Sequence, residues 1–261
     1  MKRGVRPLVL GNWKMNLDFV EAVHLTQQLT VLLKNKPAEH TDVVVVPPFV
    51  DLRSVTSVIA SERIDLGVGA QHVNSHDNGA HTGEISVAML QRLGVGWVIV
   101  GHSERRSMYA MDDATVARTL AAVVRAGLRA VLCVGEDVVR REAGEYESFV
   151  AGQLRSALTG LDERYHEQVS VAYEPIWAIG AGATASRDQV EEMTGAIRAQ
   201  LEELSPGAAR ILYGGSVNEE NAGAIMRETT VDGFLVGGAS LKAESFGAII
   251  RACDDCYAGN R

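Results

Sequence analysis

The sequence predicts an α/β architecture of eight short strands alternating with helices, either closed as a (β/α)8 barrel or open as a doubly wound sheet. Three observations predict it. Short apolar runs rich in β-branched residues recur along the 261-residue chain. They lack the polar alternation of half-exposed strands, so they read as strands covered on both faces, as in a parallel sheet. The stretches between them carry apolar residues at helical spacing, which parallel strands need for their crossovers.

The elements follow in order. Leu8, Val9 and Leu10 run into Gly11-Asn12 and make the first strand, Leu8–Asn12. A helix is expected over Asp18–Leu33, with Val20, Val23, Leu25, Leu29 and Leu33 near a 3.6 period. Strands are expected at Val43–Val46, Asp65–Ala70 and Trp97–Val100. Ser103-Glu104 then reads as a helix start, and Asp112 as the N-cap of a helix to Ala126 carrying Val116, Leu120, Val123 and Val124. Further strands fall at Ala130–Val134, Ser170–Tyr173, Arg210–Tyr213 and Gly233–Val236. Helices are expected over Arg187–Leu204 and Leu241–Cys253. No linker rich in Pro, Gly or Ser interrupts the pattern, so residues 1–261 read as a single domain. Eight alternations favour the barrel over the open sheet.

Composition narrows the function. With 46% hydrophobic and 22% charged residues, the chain can bury a large core. Its net charge of −8 lacks the basic footprint of a nucleic-acid or anionic-membrane binder. An anionic ligand would therefore be held by local donors. Cys133, Cys253 and Cys256 are too few for a disulfide scaffold and suit a reducing compartment. Cys253 and Cys256 form a bare C-x-x-C, which without further ligands or a thioredoxin-like context reads as ordinary thiols. No signal-peptide core and no long apolar span is evident, so a cytoplasmic protein without membrane or nucleic-acid partners is expected.

Glycine and polar residues cluster where strands end. Gly11-Asn12-Trp13-Lys14 follows the first, Gly101-His102-Ser103-Glu104 the fourth, Glu174-Pro175 the sixth, Gly214-Gly215-Ser216 the seventh and Gly237-Gly238 the eighth. In a barrel all these ends open on one face, where active sites are built. Taken singly, Lys14 would be a solvated lysine, His102 a hydrogen-bonded loop histidine and Glu174 a surface carboxylate. Together at one mouth they make a cation for an anionic substrate, a neutral hydrogen-bond donor at a helix start, and a base partly withdrawn from water. Backbone N–H groups of Ser216, Gly237 and Gly238 would hold a phosphate after the last two strands, although glycine-rich turns are also common without a ligand. Gly180-Ala181-Gly182-Ala183-Thr184-Ala185 fits a dinucleotide-binding pattern, but it does not directly follow the first strand of a βαβ unit. The stretch reads better as a lid, with small residues for movement and Ile176, Trp177 and Ile179 to exclude water.

Five blocks carry a family resemblance: Gly11-Asn12-Trp13-Lys14-Met15-Asn16, Val100 to Arg106, Ala172 to Gly180, Tyr213 to Val217, and Val236 to Ala239. In order and spacing they resemble triosephosphate isomerases over nearly the whole chain. The resemblance implies a single-domain TIM barrel that interconverts dihydroxyacetone phosphate and glyceraldehyde 3-phosphate in glycolysis, gluconeogenesis and the pentose shunt. It implies Glu174 as base, His102 as electrophile, Lys14 and Asn12 as substrate-binding residues and Glu104 as a supporting carboxylate. Gly180, Ser216, Gly237 and Gly238 would hold the phosphate. A glutamate base paired with a neutral histidine is this family's own long-described mechanism, carried over here by resemblance. Neither metal nor organic cofactor is implied, because Lys14 supplies the positive charge. Thr82 resembles the tip of a loop that docks into a second copy, implying a homodimer.

The chain departs from the family pattern at Ala181 and Ala183, where Thr and Lys are usual, and at His81, where an aromatic residue usually precedes the docking threonine. These departures leave room for a relative acting on a four-carbon ketose phosphate of the erythrulose phosphate type. A phosphate-binding module without catalysis is the rival of a different class, and an intact Lys14, His102 and Glu174 argue against it.

Overall fold

The computed structural model describes residues 5–179, 184–204 and 209–259. Eight strands among these residues close into a barrel in chain order: β1 Leu8–Asn12, β2 Asp42–Val46, β3 Gly67–Ala70, β4 Trp97–Val100, β5 Arg129–Val134, β6 Val169–Tyr173, β7 Ile211–Tyr213 and β8 Gly233–Val236. All neighbours run parallel, and β8 returns to pair with β1 through Leu8↔Gly233 to Gly11↔Val236. The doubly wound alternative is thereby excluded. Between and after the strands lie α1 Phe19–Asn35, α2 Leu52–Glu62, α3 Val87–Arg92, α4 Ser103–Met108, α5 Asp113–Arg125, α6 Val138–Glu142, α7 Tyr146–Leu158, α8 Arg187–Leu204, α9 Ala222–Glu228 and α10 Ala243–Ala258.

The strands are buried on both faces, as their unbroken apolar runs predict. Inward, Leu8, Leu10, Val44, Val46, Trp97, Ile99, Val131, Cys133, Ala172, Leu212 and Leu235 fill the barrel. Outward, Val9, Val45, Val98, Leu132, Val171, Ile211 and Phe234 pack against the helical layer. Residue i and residue i+2 share a face, so each strand divides its side chains between two cores.

Helix ends follow local chemistry. Asp18 caps α1 by accepting from Val20 N and Glu21 N, and the Glu21 carboxylate accepts from Asp18 N at 2.9 Å. This reciprocal pair satisfies donors that the first helical turn leaves open. Asp112 caps α5 through Thr115 N. The last helix differs from expectation. Gly238–Leu241 forms a 3-10 turn, α10 starts at Ala243, and the helix runs past Cys253 to Ala258, where Gly259 is its C-cap. The third strand begins at Gly67 rather than Asp65, because its ladder to β2 begins at Val44↔Gly67.

Barrel closure depends on a close approach at Gly233. Its φ is +145°, and a Cβ there would lie 1.9 Å from the Leu8 carbonyl oxygen. Gly233→Ala is therefore expected to destabilise the fold by about 3 kcal/mol or more, since the strained φ and the backbone clash act together. Urea unfolding of the variant, with a midpoint well below wild type, checks this.

Candidate active site

The carboxyl ends of the strands surround a cavity of about 280 Å³ lined by Asn12, Lys14, His102, Glu174, Ile179, Gly214, Gly215, Ser216, Val217, Asn218, Leu235, Gly237 and Gly238. The inward register explains several of these positions. Leu10, Ala172, Leu212 and Leu235 point into the barrel. Two residues further on stand Asn12, Glu174, Gly214 and Gly237, on the same face but at the mouth. The structure thus brings together Lys14, His102, Glu174, Asn12, Ser216, Gly237 and Gly238 from five strand ends.

Glu174 is only 2% exposed. Its carboxylate accepts from Ser103 N at 2.9 Å and from Ser103 Oγ at 3.2 Å. His102 Nε2 lies 3.0 Å from Glu174 Oε1. The imidazole is 6% exposed and caps α4, with its Nδ1 accepting from the Glu104 backbone N–H at 3.3 Å. An Nδ1 that accepts from a backbone N–H leaves Nε2 as the ring's donor, and Nε2 points at Glu174. The Glu104 carboxylate also approaches Nδ1, at 3.6 Å.

Lys14 adopts φ +52°, uncommon for a residue with a side chain. Two contacts hold this turn: Lys14 N donates to Asn12 Oδ1 at 3.1 Å, and Gln71 Nε2 donates to the Lys14 carbonyl at 2.7 Å. Lys14 Nζ is paired with Glu104 Oε1 at 2.7 Å. Gly237 lies beside the same side chain, its would-be Cβ 3.6 Å from Lys14 Cε. Gly214 faces Glu174, and a Cβ there would stand 3.0 Å from Glu174 Cγ.

Two further expected residues are Gly180 and Thr82. Gly180 lies outside the described residues, as do Ala181 and Ala183. Thr82 is exposed on the loop after β3, away from the cavity. That loop is braced by Asn74 Nδ2 donating to Glu84 Oε2 at 2.8 Å, and the rings of His76 and His81 stack at its tip, 4.4 Å apart. Among the described residues, no cluster of three or more His, Cys, Asp or Glu side chains is placed to hold a metal ion.

Sequence reasoning missed Ser103, Gln71 and Glu136. Ser103 reads as a helix start, yet it also holds the Glu174 carboxylate. The fully buried Glu136 accepts on one oxygen from Tyr173 Oη at 3.0 Å and from Trp177 Nε1 at 2.8 Å. Its backbone carbonyl accepts from Ile176 N at 3.1 Å, so it fastens the turn that follows Glu174. Cys133 also sits within the barrel beside Glu174, and burial pushes its thiol well above the ordinary range.

Comparison with known proteins agrees with this geometry. Residues 7–253 match the family model described as triosephosphate isomerase. The chain belongs to the triosephosphate isomerase family. A relative from Rhodococcus jostii (strain RHA1), named triosephosphate isomerase, is 47% identical over 248 residues, covering 94% of this chain and 95% of its own. Relatives of the same name from Nocardia farcinica (strain IFM 10152) and Mycolicibacterium vanbaalenii (strain PYR-1) are 47% and 48% identical. They cover 94% and 92% of this chain, and 95% and 94% of their own.

Burial raises the Glu136 carboxyl above its ordinary value of 4.5. A carboxyl raised in the folded state binds its proton more tightly there than in the unfolded chain. Stability therefore declines as pH rises from about 4.5 through the folded-state value, and levels off above it. Glu136→Gln keeps a carbonyl acceptor for Tyr173 and Trp177 but removes the titration. The variant is expected to gain stability relative to wild type as pH rises through that window. Urea unfolding at a series of pH values checks this, and a constant difference would contradict it.

Proposed function

We propose that the protein is a triosephosphate isomerase, interconverting dihydroxyacetone phosphate and glyceraldehyde 3-phosphate in glycolysis and gluconeogenesis. The observation that carries this reading is the convergence of Glu174, His102 and Lys14 on one cavity, in a chain whose family match spans residues 7–253. The four-carbon ketose phosphate reading has no observation in its favour.

In the proposed reaction Glu174 removes a proton from the carbon beside the carbonyl. To do so its carboxylate exchanges the Ser103 donors for substrate. The His102 N–H that now faces Glu174 is then handed to the substrate oxygen, and Lys14 stabilises the charge developing there. A neutral donor and a fixed cation aimed at an enediolate lower the barrier because they need no reorganisation as charge forms. His102 Nε2 gives its proton to the former carbonyl oxygen and takes up the proton of the neighbouring hydroxyl, which becomes the new carbonyl, while Glu174 returns its proton to the adjacent carbon, so base and imidazole are both regenerated. Backbone N–H groups of Ser216, Gly237 and Gly238 take the phosphate, and Asn12 fixes the Lys14 turn while lining the substrate pocket.

A homodimer formed through the Thr82 loop completes the proposal. Met15, Met108 and Tyr109 are 93%, 72% and 64% exposed. Lys14, next to Met15, is bonded to Gln71 at the start of the loop, and Arg105, stacked on Tyr109, faces His72 and Glu84 within it. Exposed apolar side chains around a projecting loop suit a self-complementary contact. A cytoplasmic location accords with this metabolic role, and among the described residues no helix is long and apolar enough to cross a membrane.

Glu174→Gln is expected to lower kcat by about 10²- to 10⁴-fold, the usual contribution of a positioned base, while a phosphate-bearing substrate analogue still binds. Lys14→Met is expected to weaken substrate binding as well as turnover. Steady-state isomerisation of triose and tetrulose phosphates, with sedimentation of the same samples, tests the reaction, the substrate and the dimer. Wild-type turnover in Glu174→Gln would remove the glutamate from the mechanism.

A further inference from the structure

We propose that Tyr146 and Glu192, on α7 and α8, are positioning residues for catalysis: they grip Arg141 so that its guanidinium braces Trp177 and, through it, the turn that carries Glu174. This inference deepens the isomerase reading and rests on it.

The contacts form a continuous chain. Glu192 accepts twice, from Arg141 Nη2 at 2.9 Å and from Tyr146 Oη at 2.8 Å. The Arg141 guanidinium lies 4.0 Å above the Tyr146 ring and 5.5 Å from the Trp177 ring. Its Nη1 stands 3.7 Å from Glu136 Oε1, the oxygen that already accepts from Trp177 and Tyr173. Trp177 is three residues past Glu174, and Ile179, two residues further, lines the cavity.

The geometry is more directed than a surface ion pair. A guanidinium has five donors and a flat face, so fixing one edge on Glu192 and one face on Tyr146 determines where the remaining edge points. Here that edge points at Glu136. Arg141 Nη1 and Glu136 Oε2 are both buried without a hydrogen-bond partner. A buried guanidinium nitrogen that stands 3.7 Å from Oε1 without a hydrogen bond is costly, so its placement has to be imposed from outside. Glu192 and Tyr146 impose it, because they hold Arg141 from the helical layer. The bond from Tyr146, reinforced by Arg141, keeps the Glu192 carboxyl below its ordinary range and therefore charged at neutral pH. The consequence for catalysis is positional: Pro175 to Ile179 can shift only if Trp177 moves against this clamp.

Glu192→Ala removes both bonds, Glu192→Gln keeps an acceptor without the charge, and Tyr146→Phe keeps the stacking without the hydroxyl. In Glu192→Ala, kcat is expected to fall about tenfold, the worth of one hydrogen bond to a charged group, with KM little changed. The fraction of turnovers ending in release of inorganic phosphate is expected to rise, because a displaced turn leaves the enediolate less protected from elimination. Acrylamide quenching of tryptophan fluorescence is expected to increase, reporting Trp177 because Trp13 and Trp97 are buried. Glu192→Gln and Tyr146→Phe should fall between Glu192→Ala and wild type in all three. A folded Glu192→Ala with wild-type kcat and phosphate release overturns the proposal. So does a loss of stability with unchanged kinetics, or a loss of kcat with unchanged quenching. If wild-type protein does not isomerise the triose phosphates, the isomerase reading fails instead, and the quenching comparison still reports whether the clamp positions Trp177.

Discussion

Closure of β8 onto β1 is the constraint from which the site follows. A closed ring of parallel strands has only one carboxyl-terminal rim, so residues separated by most of the chain must meet there. The inward and outward alternation of each strand then selects which side chain projects over the mouth. Leu10 fixes Asn12, Ala172 fixes Glu174, Leu212 fixes Gly214 and Leu235 fixes Gly237, each by a step of two residues. A one-residue slip in any ladder would turn its functional residue into the helical layer. The tightness of Gly233 against Leu8 therefore serves the proposed chemistry as much as the fold.

Within that rim, Glu174 is held by donors that it must surrender in order to act as the proposed base. Ser103 supplies two hydrogen bonds and His102 a third contact, around a carboxylate that is itself buried. A buried carboxylate without such partners would be costly to maintain. The holding contacts and the working contacts therefore share one small space, and Gly214 leaves the base room to exchange one for the other. The turn after Glu174 is restrained separately, through Glu136, Tyr173 and Trp177. Separating these two supports lets the carboxylate rotate about its own bonds while its backbone stays fixed by Glu174 N donating to the Val134 carbonyl at 2.8 Å.

The residues that read clearly in the sequence are those whose role is local or whose motif is continuous. All eight strands were legible because apolar runs survive on both faces of a parallel barrel, and Asp18 and Asp112 because caps act over three residues. Lys14, His102 and Glu174 were legible because each follows a strand end. Ser103, Gln71 and Glu136 were not, since each acts on a residue distant in sequence. Gln71 reaches Lys14 across 57 positions and Ser103 reaches Glu174 across 71. Glu136 looks like one acid in a loop ahead of the Asp137 cap, and only folding buries it under Trp177. The start of α10 was hidden for a different reason: the glycine turn after β8 spends Gly238–Leu241 on a 3-10 segment before regular helix begins.

Charge sets the last constraint on the proposed chemistry. The chain carries −8 overall, yet the proposed substrate is an anion. At physiological ionic strength fields decay over about 8 Å, so most of that charge is screened before it reaches the mouth. What remains is local, and Lys14 is the only lysine or arginine among the residues lining the cavity. Its ammonium is shared with Glu104, which leaves little unopposed charge for a phosphate. In the proposed binding mode the backbone amides of Ser216, Gly237 and Gly238 therefore matter more than a charge count suggests. They attract an anion without adding a titratable group beside Glu174, and a second cation at that point would stabilise the carboxylate and weaken it as a base. In the proposed binding mode, glycine at the ends of β7 and β8 lets phosphate be held by dipoles, and leaves the Lys14 ammonium to the oxygen that needs it.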